Sequence, residues 1–147
     1  MTTTLARLEK KAPASVPRTI GRIGLGAILV MAGISHLTFA RDDFQAQVPT
    51  WLPLDKDFVV LASGAVEITL GSALVALPKH RVAVGFVVAA FFIAIFPGNI
   101  SQFVTKTDAF GLNDDTARGV RLLFQPVLVL WALWSTGAWR AWRNRAR

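Results

Sequence analysis

"LASGAVEITLGS" (residues 61–72) holds one carboxylate, Glu67, in a run that is otherwise apolar or small. Extended in both directions, the charge-poor stretch covers residues 58–78. A helix rising 1.5 Å per residue needs about twenty residues to cross a hydrocarbon core of about 30 Å. Three further windows of that kind lie at residues 20–39, 82–101 and 119–138. Hydrophobic residues make up 53% of the 147 and charged residues 17%, and the charges concentrate between the windows. The pattern predicts an all-α fold, a transmembrane four-helix bundle spanning residues 20–139. A polar segment precedes it at residues 1–19 and a basic tail follows at 140–147.

The net charge of +7 would suit nucleic acid if the basic residues formed one patch. They divide by topology instead. Arg7, Lys10, Lys11, Arg18, Arg22, Lys79, Arg81, Arg140, Arg143, Arg145 and Arg147 fall on one side of the predicted bundle. Arg41, Lys56, Lys106, Arg118 and Arg121 fall on the other, together with Asp42, Asp43, Asp55, Asp57, Asp108, Asp114 and Asp115. The positive-inside rule then places both termini in the cytoplasm of a multi-pass protein of the cytoplasmic (inner) membrane. Anionic headgroups account for the basic tail, and no nucleic acid is expected. The chain has no cysteine, which removes disulfides, thiolate metal sites and thiol redox relays. The first window lacks a small-x-small site after its long apolar stretch and is expected to stay as a span.

Local signals set further expectations. Pro13 and Pro17 favour a disordered end over a helix continuous with the first span, although Leu5 and Leu8 allow a short interfacial turn. The loop "RDDFQAQVPTWLPLDKD" (41–57) holds an apolar knot at Pro49, Trp51, Leu52 and Pro53 that either anchors in the headgroups or caps the bundle. The short connection "LPKHRV" (77–82) predicts antiparallel neighbours for the second and third helices. Asp115 or Thr116 is the expected N-cap of the fourth. Trp131, Trp134, Trp139 and Trp142 among arginines read as an interfacial aromatic belt.

Ionisable and amide groups inside the windows carry the functional signal. An acidic side chain near the midplane is costly and marks a proton, ion or substrate site. Ser63, Gly64 and Gly71 share the Glu67 face at helical spacing, so a neighbouring helix can approach there and Glu67 should point inward. His36, Asn99, Arg121 and Gln125 come from the other three windows at similar depth, in the half away from the termini. Together with Ser63, Gly64 and Glu67 they form the expected ligand-binding set, with Gly33, Gly71 and Pro97 as packing positions. Each has a plainer alternative. His36 can be interfacial, Arg22 and Arg121 can snorkel to headgroups, and "FPGN" (96–99) can simply end a helix or unwind it over a cavity. Gly21, Gly24 and Gly26 read as packing glycines. Two histidines, one of them outside the windows, make no metal site. A His, a Glu and an amide can bind a quinone carbonyl or relay a proton, but cannot carry electrons unaided.

"GISHLTF" (33–39), "VPTWLP" (48–53), "SGAVEITLGSALVALPKHR" (63–81) and "FPGNI" (96–100), in that order, resemble the DoxX/DoxD-like family of small four-helix membrane proteins. Gly98 stands where that family usually has Ala, and the fourth window matches only in character. The resemblance implies His36, Gly64, Glu67, Pro97 and Asn99 as family-typical positions. It also implies a bundle that, in some relatives, serves as a subunit of a quinone-linked oxidoreductase. The expectation is therefore an accessory membrane subunit of a redox system binding a quinone-like or other hydrophobic ligand around Glu67, not a complete enzyme. The alternative is a structural or assembly subunit whose small-residue faces dock another membrane protein. Expected partners are the lipid bilayer, other membrane or redox proteins, and further copies of the chain. A proton-coupled transporter is a weaker third reading.

Overall fold

A computed structural model describes residues 2–107 and 114–145; Asp108, the rest of the loop to residue 113, and Arg147 lie outside the described residues. Among the described residues seven α-helices run in chain order: α1 (Thr2–Lys10), α2 (Val16–Leu37), α3 (Arg41–Ala46), α4 (Lys56–Ala76), α5 (Arg81–Thr105), α6 (Asp115–Thr136) and α7 (Ala138–Arg143). Among the described residues there is no strand. The helices α2, α4, α5 and α6 are each long and apolar enough to cross a membrane. Residues such as Ile20, Met31, Phe58, Ile93, Leu123 and Leu130 are exposed along them. A bilayer covers such surface without cost, whereas water would not. The chain is thus an all-helical, multi-pass membrane protein.

The helices α2, α4 and α6 start earlier than the apolar windows, because polar capping residues extend them. Ser15 caps α2 by accepting from the Arg18 N–H, and Pro17 sits in the first turn, where its missing N–H would have no helical partner. Asp55 caps α4 through the Asp57 N–H. The cap of α6 is Asp114, accepting from Ala117 at 2.7 Å, and not Asp115 or Thr116. Gly137, at φ 78°, ends α6 in the left-handed conformation that glycine adopts without steric cost.

Two expectations are corrected. The amino-terminal segment is a packed helix, not a disordered end. Glu9 in α1 bonds the Val82 N–H at 2.7 Å and pairs with Arg81 at 2.7 Å. A carboxylate at the start of α5 meets the positive end of its dipole. Ala12, Val82, Ala138 and Ala141 form a buried cluster beside it. Second, "FPGN" neither ends nor unwinds its helix: α5 continues through Pro97 to Thr105. Pro97 removes one helical donor, but the turns on either side persist. The helices α4 and α5, joined by a tight turn, are in contact as expected, although α4 packs chiefly on α2 and α5 chiefly on α6.

The α2–α4 seam is built from glycines. A Cβ on Gly26 would fall 2.7 Å from the Gly71 carbonyl oxygen, and one on Gly33 would fall 2.6 Å from that of Gly64. The reciprocal approaches are 2.6 Å from Gly71 to the Gly26 oxygen and 3.0 Å from Gly64 to the Gly33 oxygen, so the two backbones touch at levels seven residues apart on each helix. Toward the α1/α7 end, Leu25, Leu29, Leu74, Val88, Ala89, Phe92 and Ala132 fill the centre. Arg22 is buried there rather than snorkelling, and donates to the Leu74 carbonyl. Trp131 also turns inward, donating to the Gly21 carbonyl at 2.9 Å, while Trp134, Trp139 and Trp142 stay exposed.

Candidate ligand-binding site

Toward the α3 end the two helix pairs separate, and a cavity of about 400 Å³ opens between them. Its walls come from α2, α4, α5, α6 and the α3 segment, and most of its lining is apolar, from Leu29 and Val60 to Phe92 and Leu128. Ligand sites commonly combine such an apolar body with a few polar groups that fix orientation. Here the polar groups gather at two places.

The first is Glu67 with His36. Glu67 is 5% exposed, close to the middle of α4, and its Oε2 lies 3.0 Å from His36 Nδ1. His36 Nδ1 also lies 2.8 Å from the Ala32 carbonyl oxygen. A carbonyl only accepts, so this contact requires a hydrogen on Nδ1. That hydrogen is aligned on Ala32, and Glu67 Oε2 receives no aligned hydrogen bond from the protein. The proton assignment follows from these partners. A carboxyl hydrogen on Oε2 would face the Nδ1 hydrogen, so Oε2 is an acceptor. Phe44 stacks on the imidazole, with centroids 3.3 Å apart and planes 15° apart, and holds the ring in place.

The second is a chain of amides closed by a guanidinium. Gln125 donates to the Phe92 carbonyl at 2.7 Å and accepts from Asn99 at 3.0 Å. Arg121 donates to Asn99 Oδ1 at 3.3 Å and to Gln47 Oε1 at 3.2 Å. Gln47 donates in turn to Gln102 at 2.8 Å. Each amide is used as both donor and acceptor, which fixes its orientation and ties α3, α5 and α6 together.

The expected residues are therefore placed as follows. His36, Ser63, Glu67, Asn99, Arg121 and Gln125 all line the cavity, as does Pro97. Gly64 does not: it lies in the α2–α4 seam against Gly33 and the His36 Cβ, and acts by letting α2 come close. Gly33 and Gly71 belong to the same seam. Arg121 points inward and does not snorkel. Among the described residues no group of acidic or histidine side chains is arranged to hold a metal ion.

Sequence reasoning missed Phe44, Gln47 and Gln102. The first two lie in a stretch read as a loop, where "DFQAQVP" (43–49) alternates amides with apolar residues. That alternation was the available signal. The loop does reach the cavity: Val48, Pro49, Trp51 and Leu52 line its α3 end. The tie that holds α3 there is Arg41, which pairs with Asp57 through both carboxylate oxygens, reinforced by Gln45 at 2.7 Å.

No curated protein and no solved structure matches the chain. A family model matches residues 25–136, a span that takes in every residue lining the cavity. The chain belongs to the family described as Domain of unknown function (DUF8561).

Proposed function

We propose that this protein is an accessory subunit of a membrane redox system, of the DoxX/DoxD-like type, that binds a quinone-like or other small hydrophobic ligand in the cavity beside Glu67. The observation that carries the reading is the buried, incompletely bonded Glu67 carboxyl facing a mostly apolar cavity of about 400 Å³. A buried carboxyl oxygen with no aligned donor is costly to fold around. Such a cost at a cavity wall is characteristic of a binding site. The volume suits a single substituted ring, for which Phe44, Trp51 and Phe92 supply aromatic walls. On this reading the protein lies in the cytoplasmic membrane with both termini inside, so the cavity faces the outer half of the bilayer. The asymmetry of basic residues supports that orientation.

The docking alternative needs small-residue faces that are available to a partner. Gly26, Gly33, Gly64 and Gly71 are occupied within the α2–α4 seam, which favours the ligand reading.

Decylubiquinone titrated into the purified protein in nanodiscs should quench the fluorescence of Trp51 at the cavity mouth. The Trp51→Phe protein identifies that signal, and equilibrium dialysis measures binding independently. Glu67→Gln should weaken binding. No saturable binding to the wild-type protein would remove the ligand reading and favour docking.

A further inference from the structure

The cavity is bridged at its α3 end and loosely walled at one side. The bridge is the segment 41–54, which is tied to all four long helices. Arg41 and Gln45 bond Asp57 of α4, and Phe44 stacks on His36 of α2. Gln47 joins Gln102 of α5 and Arg121 of α6. The four sides of the bundle are packed unequally: α2–α4 and α5–α6 closely, α2–α6 less so, and α4–α5 least. We propose that the cavity is loaded sideways from the bilayer through the gap between α4 and α5. It takes a ring whose hydrocarbon chain stays out in that gap among the lipid tails. This deepens the ligand reading above and rests on it for the identity of the ring.

Helical spacing places the gap. On α5, Ala94 and Gly98 are one turn apart and line the cavity, whereas Ile93 and Phe96 line a separate groove against Pro126 and Val129 of α6. Successive helical residues turn by about 100°, so Ala94 and Gly98 lie on the flank of α5 away from α6. On α4, Val59 and Ser63 are likewise one turn apart, on the flank away from the Gly64–Gly71 seam with α2. Ser63, Ala94 and Gly98 carry little bulk. Ala94 lines the cavity and is also exposed, which puts it at the mouth. The surface beside it is apolar and membrane-facing, with Ile93 61% exposed. The mouth therefore opens on acyl chains. A cavity of about 400 Å³ holds one ring. A long chain attached to that ring leaves through the mouth and stays in apolar surroundings, at no cost in hydration.

The chain has no cysteine, so Ser63→Cys places a single thiol reporter in the cavity, and Val59→Cys a second if the first folds poorly. Ile93→Cys is the lipid-facing reference. Labelling rates in nanodiscs are compared for N-ethylmaleimide and N-dodecylmaleimide. Both should label Ser63→Cys, with a dodecyl-to-ethyl ratio within about threefold of that at Ile93→Cys. Adding Ala94→Trp, which puts bulk at an exposed position outside the core, should slow both reagents by about tenfold or more at Ser63→Cys. Ile28 also lines the cavity and is 50% exposed, on α2; adding Ile28→Trp should change the rates by about twofold or less. A sulfonate-bearing methanethiosulfonate, confined to water, should label the exposed Thr50→Cys and spare Ser63→Cys. Equal labelling of those two by the sulfonate would show a water route and overturn the proposal. So would an Ala94→Trp protein labelled at the unmodified rate, slowing by Ile28→Trp instead, or failure of either maleimide at both cavity positions. None of these readouts uses a quinone. Labelling as expected in a protein that binds no decylubiquinone would therefore remove the quinone reading and leave the side route standing.

Discussion

Arg22 donates to the carbonyl of Leu74, in the last turn of α4. The residue that would follow one turn later in a continuing helix is Pro78, which has no N–H, and the chain leaves the helix at Leu77. The guanidinium on α2 therefore supplies what α4 cannot supply for itself. Arg22→Met should lower stability by about 1–3 kcal/mol, the cost of a buried acceptor left without its donor. Arg22→Lys, which keeps a donor, should lose less. Reversible unfolding in mixed micelles measures both. A Met variant as stable as wild type would mean that the bond contributes nothing net.

The glycine seam makes a sharper steric prediction. In Gly33→Ala the new Cβ would sit 2.6 Å from a backbone oxygen of α4, which cannot move without separating the two helices. Destabilisation of about 1–3 kcal/mol is expected. Gly119→Ala in α6 is the control, because its Cβ would meet nothing nearer than 3.6 Å. It should stabilise by up to about 1 kcal/mol through helix propensity. Similar effects at the two positions would rule out the close α2–α4 approach.

Asn99 and Gln125 share one hydrogen bond inside a longer chain of amides. Their removal should be strongly non-additive. A double-mutant cycle of Asn99→Leu and Gln125→Leu should give a coupling of about 0.5–3 kcal/mol. Additive losses would show that the two side chains do not interact in the bilayer.

Glu9 gives a pH dependence at the α1/α7 end. Burial pushes its carboxyl up from the ordinary range, and the Val82 N–H and Arg81 guanidinium hold back part of that rise. A raised folded-state pKa means that the folded protein binds the proton more readily than the unfolded chain does. This contribution to stability is full below the ordinary carboxyl range and is lost as pH rises through the raised value. Glu9→Gln should flatten that part of the stability profile, measured by thermal unfolding across the carboxyl range. A slope unchanged in the variant would assign it to another group.

Most of the architecture was legible in the chain because bilayer-length apolar runs leave a helix few alternatives. The four windows marked the four long helices, offset toward the capping residues that lie before the apolar runs. Glu67 and the four polar residues from other windows stood out because a polar group is rare at that depth. Reading "FPGN" as a break failed because Pro97 takes only one donor from α5, and the turns on either side carry the helix on to Thr105.

What the amino-acid sequence determined alone was which residues had to be helical, apolar and membrane-length, and which polar side chains shared a depth. Only the tertiary structure decided their partners. Gly64 went to the helix seam and not to the cavity, and Arg22 and Arg121 turned inward instead of out to the headgroups. Phe44 and Gln47 arrived from a segment with no helical periodicity to announce it. Depth follows from counting residues along one helix, whereas a hydrogen-bond partner or a close backbone approach depends on how helices distant in sequence are rotated against each other. The orientation of His36 that leaves Glu67 Oε2 as an acceptor is a product of that packing, set by Ala32 and Phe44 on either side of one ring.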